Sequence, residues 1–543
     1  MTATQVVDVT ADTLADHARK LLDGGARLAL VAAHHDPPDH PGGAAIRVVY
    51  LFTAGPPDRR TELHLRTDPD HPTVPSLAAL SFPAGRFERE MHDLYGVHPQ
   101  DHPLPRRLVR HPHWPHGWHP MRADAGPRPP LAATEPFPFL TVQGPGVYEI
   151  PVGPVHAGLI EPGHFRFSVV GETILKLKAR LWYVHKGIEK LFEGQPAGSR
   201  VGLAERISGD TAVGHALAYS LAVEDALDIP VPAGAQRARA ALLELERLHN
   251  HAADIGAICN DVGYGIAHAH TQRIREQLLR LNQRTTGHRL LRGAVFPGGT
   301  QLAEVPDPAT VQAIAADLAD LVATALRNTI VRDRLTGTAT LTTTQAADIG
   351  TLGYVARASG LPLDARVAHP HTDLADLAGL TVPVYEDGDV RARFLVRADE
   401  VQASTALLAS LLPSLTAGRT AAGAGAGAGS GSTAGSGSTA GSGSTAGSGS
   451  TAGSGSTAGS GSAAGAGSAA DGPRSGVGIV EGWRGTVVHR VELRPDGTLT
   501  RVKVVDPSFL NWPALPVALA NTIVPDFPLT NKSFNLSYAG NDL

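Results

Sequence analysis

The spacing of apolar side chains predicts both helices and strands, so we expect an α+β fold. Within residues 1–125, helical spacing covers 11–22 and 87–95. Short apolar or alternating runs predict strands at 27–33, 46–53 and 61–66. The chain therefore begins with a small region of mixed α/β structure.

The pattern changes after about residue 140. Strand-like segments at 147–150 and 165–170 come first, and long apolar patterns with few breakers follow. These patterns predict helices at 213–227, 235–258, 267–284 and 308–326. Residues 476–510 return to alternation, with Pro495-Asp496-Gly497 as a predicted hairpin turn. A mainly helical region with small β parts is expected.

Composition divides the chain further. Residues 417–471 consist almost entirely of Gly, Ala, Ser and Thr and cannot build an apolar core, so we predict a disordered, dispensable insertion. A Pro-rich linker is predicted at 126–140. The predicted domains are then 1–125 and 141–416, with 472–543 completing the second domain after the insertion.

Charge and cysteine content exclude several classes of protein. The 47 Lys and Arg against 52 Asp and Glu give a net charge of −5, so no basic field indicates nucleic acid binding. One cysteine forms neither an internal disulfide nor an iron–sulfur cage. Charges, Pro or Gly interrupt the apolar runs, and the first residues lack signal-peptide features. We therefore expect a cytoplasmic protein that meets a membrane only through partners.

A His-rich stretch lies between residues 98 and 119. Its members are His98, His102, His111, His113, His116 and His119. Prolines separate them, so no helix fixes a metal-ligand spacing, and we favour a solvated, Pro-stiffened segment over a metal site. No phosphate-binding or dinucleotide-binding glycine motif accompanies them.

One motif in the first region is more specific. Glu88-Arg-Glu-Met-His-Asp93-Leu-Tyr-Gly96 is followed by His102-Pro103 and Arg106-Arg107. Charge pattern alone is equally compatible with an ordinary amphipathic helix. The full order of residues resembles the signature of the 30 kDa-type subunit of respiratory complex I.

The remainder resembles the 49 kDa-type subunit, which is homologous to the large subunit of nickel–iron hydrogenases. The motifs that carry this resemblance are Gly153-Pro-Val-His156, Glu161-Pro-Gly-His164, His185-Lys-Gly187, Glu244-Leu-Glu-Arg247, Pro297-Gly-Gly299 and Pro507-Ser-Phe509. The fused order and the Glu-Pro-Gly-His form are most similar to the large subunits of membrane-bound, complex I-related hydrogenases such as formate hydrogenlyase.

The resemblance also shows what is missing. Nickel–iron enzymes hold their metals with two Cys-x-x-Cys pairs, because soft thiolates suit these ions. The four matching positions here are Ser208, Thr211, Ser537 and Gly540. We therefore expect no nickel–iron centre and no metal ligand in this chain. Cys259 lies outside both pairs and is predicted to be a small core residue.

The resemblance assigns roles to the remaining polar residues. Quinone-reducing relatives use a His of the opening motif, here His156 or His164, and a Tyr, which Gly209 replaces. Glu161 matches a proton-relay carboxylate, with a structural role through backbone N–H groups or Arg206 as the alternative. The predicted catalytic residues are Glu161, His164, Arg206 and His215, and the predicted cofactor-binding residues are His156 and Asp210.

The expected function is that of an electron-transfer subunit in a membrane-associated, complex I-like or hydrogenase-related oxidoreductase. It would form a chamber for quinone or another redox carrier with a small iron–sulfur subunit, beside membrane-embedded subunits on the inner face of the cell membrane. The iron–sulfur cluster, and any NAD chemistry, would belong to partners. The alternative is a non-catalytic scaffold that kept the hydrogenase fold and lost the metal chemistry.

Overall fold

The N-terminal region is a four-stranded sheet with helices packed against it. The structure, a computed structural model, describes residues 4–38, 40, 42–131, 137–156, 160–373, 379–421 and 474–543. The first elements are β1 (Gln5–Val9), α1 (Ala11–Asp23), β2 (Arg27–Asp36), β3 (Ala45–Ala54), β4 (Arg59–Thr67), β5 (Thr73–Pro75), α2 (Phe82–Tyr95) and β6 (His98–Gln100). The sheet order is β1-β4-β3-β2, in which β1 and β4 are parallel and the other pairs are antiparallel.

The first helix and the three predicted strands are confirmed in this region. Helix α2 begins at Phe82, five residues before the predicted start, with Pro83 in its first turn. A proline is well accommodated there because the N–H it lacks would have no partner within the helix. Strand β1 is too short and too polar for alternation alone to indicate it.

A three-stranded antiparallel sheet opens the second region and leads into the long helices. The elements are β7 (Val147–Val152), β8 (His164–Val170), β9 (Thr173–Arg180), α3 (Ile188–Phe192), α4 (Val201–Ala204), α5 (Ala212–Leu227), α6 (Ala233–Asp261), α7 (Gly265–Thr286), β10 (Val295–Phe296), β11 (Gly299–Leu302), α8 (Pro308–Arg327), α9 (Thr329–Leu335), α10 (Thr343–Ile349), α11 (Gly353–Arg357), α12 (Ala365–Ala368), α13 (Val390–Leu411) and β12 (Gly418–Ala421). The four predicted long helices, now α5 to α8, are confirmed.

Strand β12 corrects the predicted start of the Gly/Ser/Thr/Ala-rich insertion. Gly418–Ala421 fall inside the predicted range, yet they pair with Gly299–Leu302 of β11. Edge pairing needs only backbone hydrogen bonds, so a segment without large apolar side chains can still form a strand. The prediction for residues 422–471 lies outside the described residues.

The chain returns at Arg474 with a β-meander and short helices. These are β13 (Arg474–Gly482), β14 (Gly485–Leu493), β15 (Leu499–Val505), α14 (Pro507–Asn511), α15 (Ala514–Ala518), α16 (Phe527–Phe534) and α17 (Tyr538–Asp542). The predicted hairpin turn is confirmed, with Gly497 in the left-handed conformation at φ 81°. Strand β13 packs along α5, which joins this segment to the helical region.

Strands β14 and β15 also face the N-terminal region through buried ion pairs. Arg490 donates to Glu62 at 2.8 and 3.1 Å. Arg47 donates to Glu492 at 2.7 Å, and Lys503 contacts Glu90 at 2.8 Å. The three regions thus form one compact unit, and the expected α+β fold is confirmed.

Helix α8 is the described segment whose length and composition would allow it to cross a membrane. It carries Asp317 and Asp320, and Asp317 pairs with Arg273 of α7. The helix also packs against α13. These contacts are those of a helix within a folded protein domain.

Candidate functional site

The two degenerate ligand pairs meet in space although they lie far apart in sequence. Ser208 Oγ is 2.8 Å from Ser537 Oγ, and both residues are buried. Ser208 lies just before α5, and Ser537 caps α17, where its Oγ accepts the Gly540 N–H at 2.9 Å. The fold therefore brings the four positions together, with hydroxyl groups in contact where thiolates would stand.

The other two positions supply no free ligand either. Thr211 Oγ1 accepts hydrogen bonds from Trp483 and Arg484 at 3.2 and 3.3 Å. A Cβ added to Gly540 would lie 2.5 Å from Cγ of Asp506, so the Asp506 carboxylate fills the space beside position 540. Three of the four positions carry hydroxyl groups, which are hard donors and are hydrogen-bonded within the protein, and the fourth has no side chain. This set of groups does not fit a nickel–iron centre.

Asp210 is anchored by an arginine that sequence reasoning missed. Arg484 donates to both Asp210 oxygens, at 2.7 and 2.6 Å. Burial raises the pKa of Asp210, but the Arg484 guanidinium outweighs it and holds the pKa at about 2. The only sequence signal for Arg484 was its place in the turn between β13 and β14, flanked by Gly482 and Gly485.

Glu161 reaches the same junction from the loop between β7 and β8. Its Oε2 accepts the backbone N–H of Ala539 at 3.0 Å, which fixes the loop against α17. Gly163 permits this approach, because a Cβ there would lie 2.5 Å from the Tyr538 ring. Lys186 lies close enough for Glu161 to raise its pKa, although burial lowers the pKa of Lys186 overall. Glu161 is half-buried.

Arg206 does not form the ion pair considered from sequence. Its guanidinium is exposed and donates to the Gly202 carbonyl one turn earlier. Among the described residues, Arg206 and Glu161 form neither an ion pair nor a hydrogen bond with each other. Arg206 therefore lies on the outer edge of the site.

The two histidines of the opening motif hold their own loop. His156 Nε2 is 2.8 Å from the Gly163 carbonyl, and His164 Nδ1 is 3.1 Å from the Gly153 carbonyl. Each ring thereby ties one side of the loop to the other. A contact of either ring with a cofactor stays a prediction.

His215, one of the predicted catalytic residues, lies behind the site and not on its surface. It is 0% exposed, because α5 buries it against β14 and α14. Its Nε2 is 3.0 Å from Asp506 Oδ2, and its Nδ1 is 3.1 Å from His489 Nε2. Burial and the neighbouring His215 hold the pKa of His489 well below its ordinary value. Asp506 links His215 to position 540 of the site.

Gly209 lies at the exposed surface between Ser208 and Asp210, with open space where a side chain would project. No phenol is available at that position. The structure therefore groups Glu161, Ser208, Asp210 and Ser537, whereas Arg206 is exposed and His215 is buried.

The His-rich stretch is solvated only in part: His98 and His116 are exposed, whereas other rings of the stretch pack against the protein. His102 is buried, with Nε2 3.0 Å from the Gly85 carbonyl. His111 and His119 are part-buried and contact the carbonyls of Trp182 and Asp93. These rings satisfy backbone groups of a loop that prolines prevent from forming helix or sheet. In the described ranges, no three or more metal-binding side chains converge.

Cys259 is confirmed as a core residue. It is 1% exposed on α6, and burial raises the pKa of its thiol to about 12. A thiol so strongly protonated is unsuited to nucleophilic or metal chemistry.

Comparisons with known proteins agree with this architecture. Residues 7–130 match the family of the respiratory-chain NADH dehydrogenase 30 Kd subunit, and residues 261–428 match that of the 49 Kd subunit. Formate hydrogenlyase subunit 5 of Escherichia coli is 33% identical over 66% of this chain and 64% of its own length. The chain thus spans less than two thirds of that relative.

Two further comparisons extend this result. The fused C/D protein of the NADH-quinone oxidoreductase of Phocaeicola vulgatus is 30% identical over 65% of this chain and 72% of its own length. A protein of the membrane-bound sulfane sulfur reductase, an archaeal respiratory membrane complex, shares the fold with a TM-score of 0.58 and 22% identity. That match covers 73% of this chain and 99% of the other.

The fold and the site define a large subunit of the hydrogenase and complex I class, joined to a 30 kDa-type domain, in which hydroxyl groups and a glycine stand at the thiolate positions. The chain belongs to the family of fused 30 kDa and 49 kDa proteins of complex I, the C/D proteins of NADH-quinone oxidoreductases.

Proposed function

We propose that this chain is an electron-transfer subunit of a complex I-related, membrane-associated oxidoreductase. In this proposal it forms one wall of a chamber for quinone or another redox carrier, and a small iron–sulfur subunit forms the opposite wall. Its own donor set does not fit a metal centre, so electrons would come from the cluster of that partner. Membrane-embedded complex I-like subunits would complete the assembly on the inner face of the cell membrane.

The observation that carries the proposal is the position of the Glu161 carboxylate. It lies beside the Ser208–Ser537 junction, one oxygen is held by the Ala539 N–H, and the described residues provide no hydrogen bond to the other oxygen. Reduction of a quinone to a quinol consumes two electrons and two protons. A fixed, half-buried carboxyl with a free oxygen is suited to pass protons to such a substrate.

The neighbouring groups would act on the same substrate in different ways. Asp210 is held ionised by Arg484, so it supplies fixed negative charge and not protons. Exposed Gly209 gives a flat carrier room to approach the wall. Arg206, at the outer edge, would attract an anionic or carbonyl-bearing headgroup.

The experiment is electron transfer in the purified complex, with reduced methyl viologen as donor and menadione as acceptor. We expect menadione reduction that a photoreactive quinone analogue inhibits, with label on the peptides that carry 153–164 or 206–211. Menadione reduction with labelling confined to other subunits would overturn the chamber proposal.

A second candidate function, the scaffold, has its own supporting observations. His156 and His164 both contact loop carbonyls, and Ser208 and Ser537 contact each other. A site in which polar groups satisfy one another resembles a structural core. A complex that assembles with this chain but reduces no quinone would favour the scaffold.

A further inference from the structure

A cavity of about 350 Å³ lies where the N-terminal region meets strand β9. It adjoins the Glu161 loop, because the ring of Phe139, which lines the cavity, lies 5.4 Å from the ring of His164. Helix α2, the segment after β6, strand β9 and the start of α15 provide its walls. Its lining is rich in cations. Six of them are Arg86, Arg89, Arg106, Arg107, Lys176 and Arg180.

Among the described residues, no acidic side chain lines this cavity, and none of the six cations forms an ion pair. Lys178, which also lines the cavity, pairs with Glu149. This arrangement differs from the interface between β14 and the N-terminal region, where Arg490 and Arg47 contact carboxylates. The cavity therefore concentrates positive charge that no ion pair among the described residues neutralises.

Two of the arginines are held in place with donor capacity to spare. Arg180 is 3% exposed, and its guanidinium donates to three successive backbone carbonyls, those of Leu108, Val109 and Arg110. Arg86 donates to Asn541 Oδ1 at 3.2 Å. The Nε atoms of both arginines are buried without a partner among the described residues. Burial, and then repulsion by Arg89, lowers the pKa of Arg86 to about 9.

The rest of the lining is apolar and aromatic. Trp182 and Trp512 line the cavity, and the Arg180 guanidinium stacks over the Phe137 ring at 4.7 Å. At the mouth, Phe82 is 47% exposed and Leu140 is 48% exposed. Exposed apolar side chains around a polar interior indicate a ligand with an apolar part.

We propose that this cavity binds a phosphate ester with an apolar tail. Guanidinium groups present parallel N–H donors that match phosphate oxygens, and several converge here around one space. The tail would lie along the tryptophans and the exposed rim. The source is a lipid phosphate headgroup or a soluble organic phosphate, which share this chemistry. The phosphate-ester proposal does not depend on the proposed redox function.

The test uses fluorescence of the full chain, since Trp182 and Trp512 line the cavity. Hexyl phosphate is titrated against wild type, the double variant Arg106→Gln/Arg107→Gln, and Arg332→Gln as the control. The Arg106 and Arg107 side chains form no hydrogen bond or ion pair with another described residue, and Arg332 is an exposed arginine on α9, away from the cavity. We expect saturable binding that weakens about tenfold in the double variant and is unchanged in the control.

Further ligands test whether the site requires an apolar tail on the phosphate, and whether the natural ligand is a lipid or a soluble ester. Inorganic phosphate should bind at least tenfold more weakly than hexyl phosphate. Phosphatidylcholine vesicles with 20% phosphatidate should retain the protein if the source is lipid, whereas binding of hexyl phosphate without vesicle retention identifies a soluble ester. No saturable change with either probe would overturn the proposal. Equal affinity in wild type and the double variant, or equal affinity for inorganic and hexyl phosphate, would overturn it as well.

Discussion

The β14 interface and the Ser208–Ser537 site both bury polar groups, but they satisfy them differently. At the interface, Arg490 and Glu62 are 1% and 2% exposed, and each charge contacts an opposite one. At the site, Glu161 is half-buried and one of its oxygens accepts the Ala539 N–H, while the exposed Arg206 side chain donates to the Gly202 carbonyl of its own turn.

This difference separates structural polar residues from functional candidates. A buried charge whose partners are all protein groups has no capacity left for a substrate. A fixed side chain with a free oxygen at a half-open junction retains that capacity. The number of buried charges therefore does not identify a functional site. Hydrogen-bonding capacity that the protein leaves unused identifies it better.

The largest effect is expected from breaking the buried interface. Arg490→Met leaves the buried Glu62 without its guanidinium partner, whereas Glu492 keeps its contact with Arg47. We expect a loss of about 3–5 kcal/mol in the free energy of unfolding, because an uncompensated charge stays buried. Chemical denaturation measures it. The control is Arg280→Met, whose pair with Glu276 is 75% and 49% exposed and should change stability by less than about 1 kcal/mol. Equal losses of unfolding free energy in both variants would show that the buried ion pair contributes no more than the exposed one.

A side chain at position 540 should have the next largest effect. Gly540→Ala places a Cβ 2.5 Å from Cγ of Asp506, which His215 and the Ser508 N–H hold in place. We expect a loss of about 1–3 kcal/mol from overpacking. Gly209→Ala has open space around it and should be nearly neutral. If Gly540→Ala is as stable as Gly209→Ala, Asp506 does not occupy the space of the missing ligand.

The Asp210–Arg484 pair should give a smaller, pH-dependent effect. The pKa of Asp210 is about 2 in the folded protein, below its ordinary 3.8. Its stabilisation is therefore complete above pH 3.8 and is lost as the pH falls through 2. Asp210→Asn should cost about 1–2 kcal/mol at pH 7, since the pair is partly solvated. The difference from wild type should disappear near pH 2, and a constant difference across this range would contradict the assignment.

The smallest effect is expected from shortening the Gly/Ser/Thr/Ala-rich insertion. Removing about half of residues 424–469 should change the free energy of unfolding by less than about 1 kcal/mol, because closure entropy depends only slowly on loop length. Thermal melting and complex assembly measure this. Lost assembly with an unchanged melting temperature would show that the insertion binds a partner.

Much of the fold could be predicted from the sequence, because α5 to α8 have long apolar patterns and the β13–β15 meander has alternating ones. The meeting of Ser208 with Ser537 was predictable only from the family motifs. The side chains that contact this site, Arg484 and Asp506, could not be predicted from the sequence. Arg484 and Asp506 lie in a turn and at a helix start, and nothing in their local pattern shows that they reach position 210 or 540.

The histidines illustrate the same limit. His98 to His119 share one composition, yet His102 is buried and His98 is exposed. Which ring contacts a backbone carbonyl depends on how this loop packs against α2 and Trp182, and the local sequence does not show that packing. For the same reason, His215 matched a site position but lies behind the site.

The most direct test of the central claim is turnover of the assembled complex that carries Glu161→Gln. This change keeps the acceptor for the Ala539 N–H and removes the titratable proton. Glu172→Gln, in the exposed turn between β8 and β9, is the matched control. We expect normal assembly and loss of most viologen-to-menadione turnover in Glu161→Gln, with wild-type turnover in Glu172→Gln. Wild-type turnover in Glu161→Gln would contradict a proton-relay role, and failed assembly would show that the carboxylate is structural.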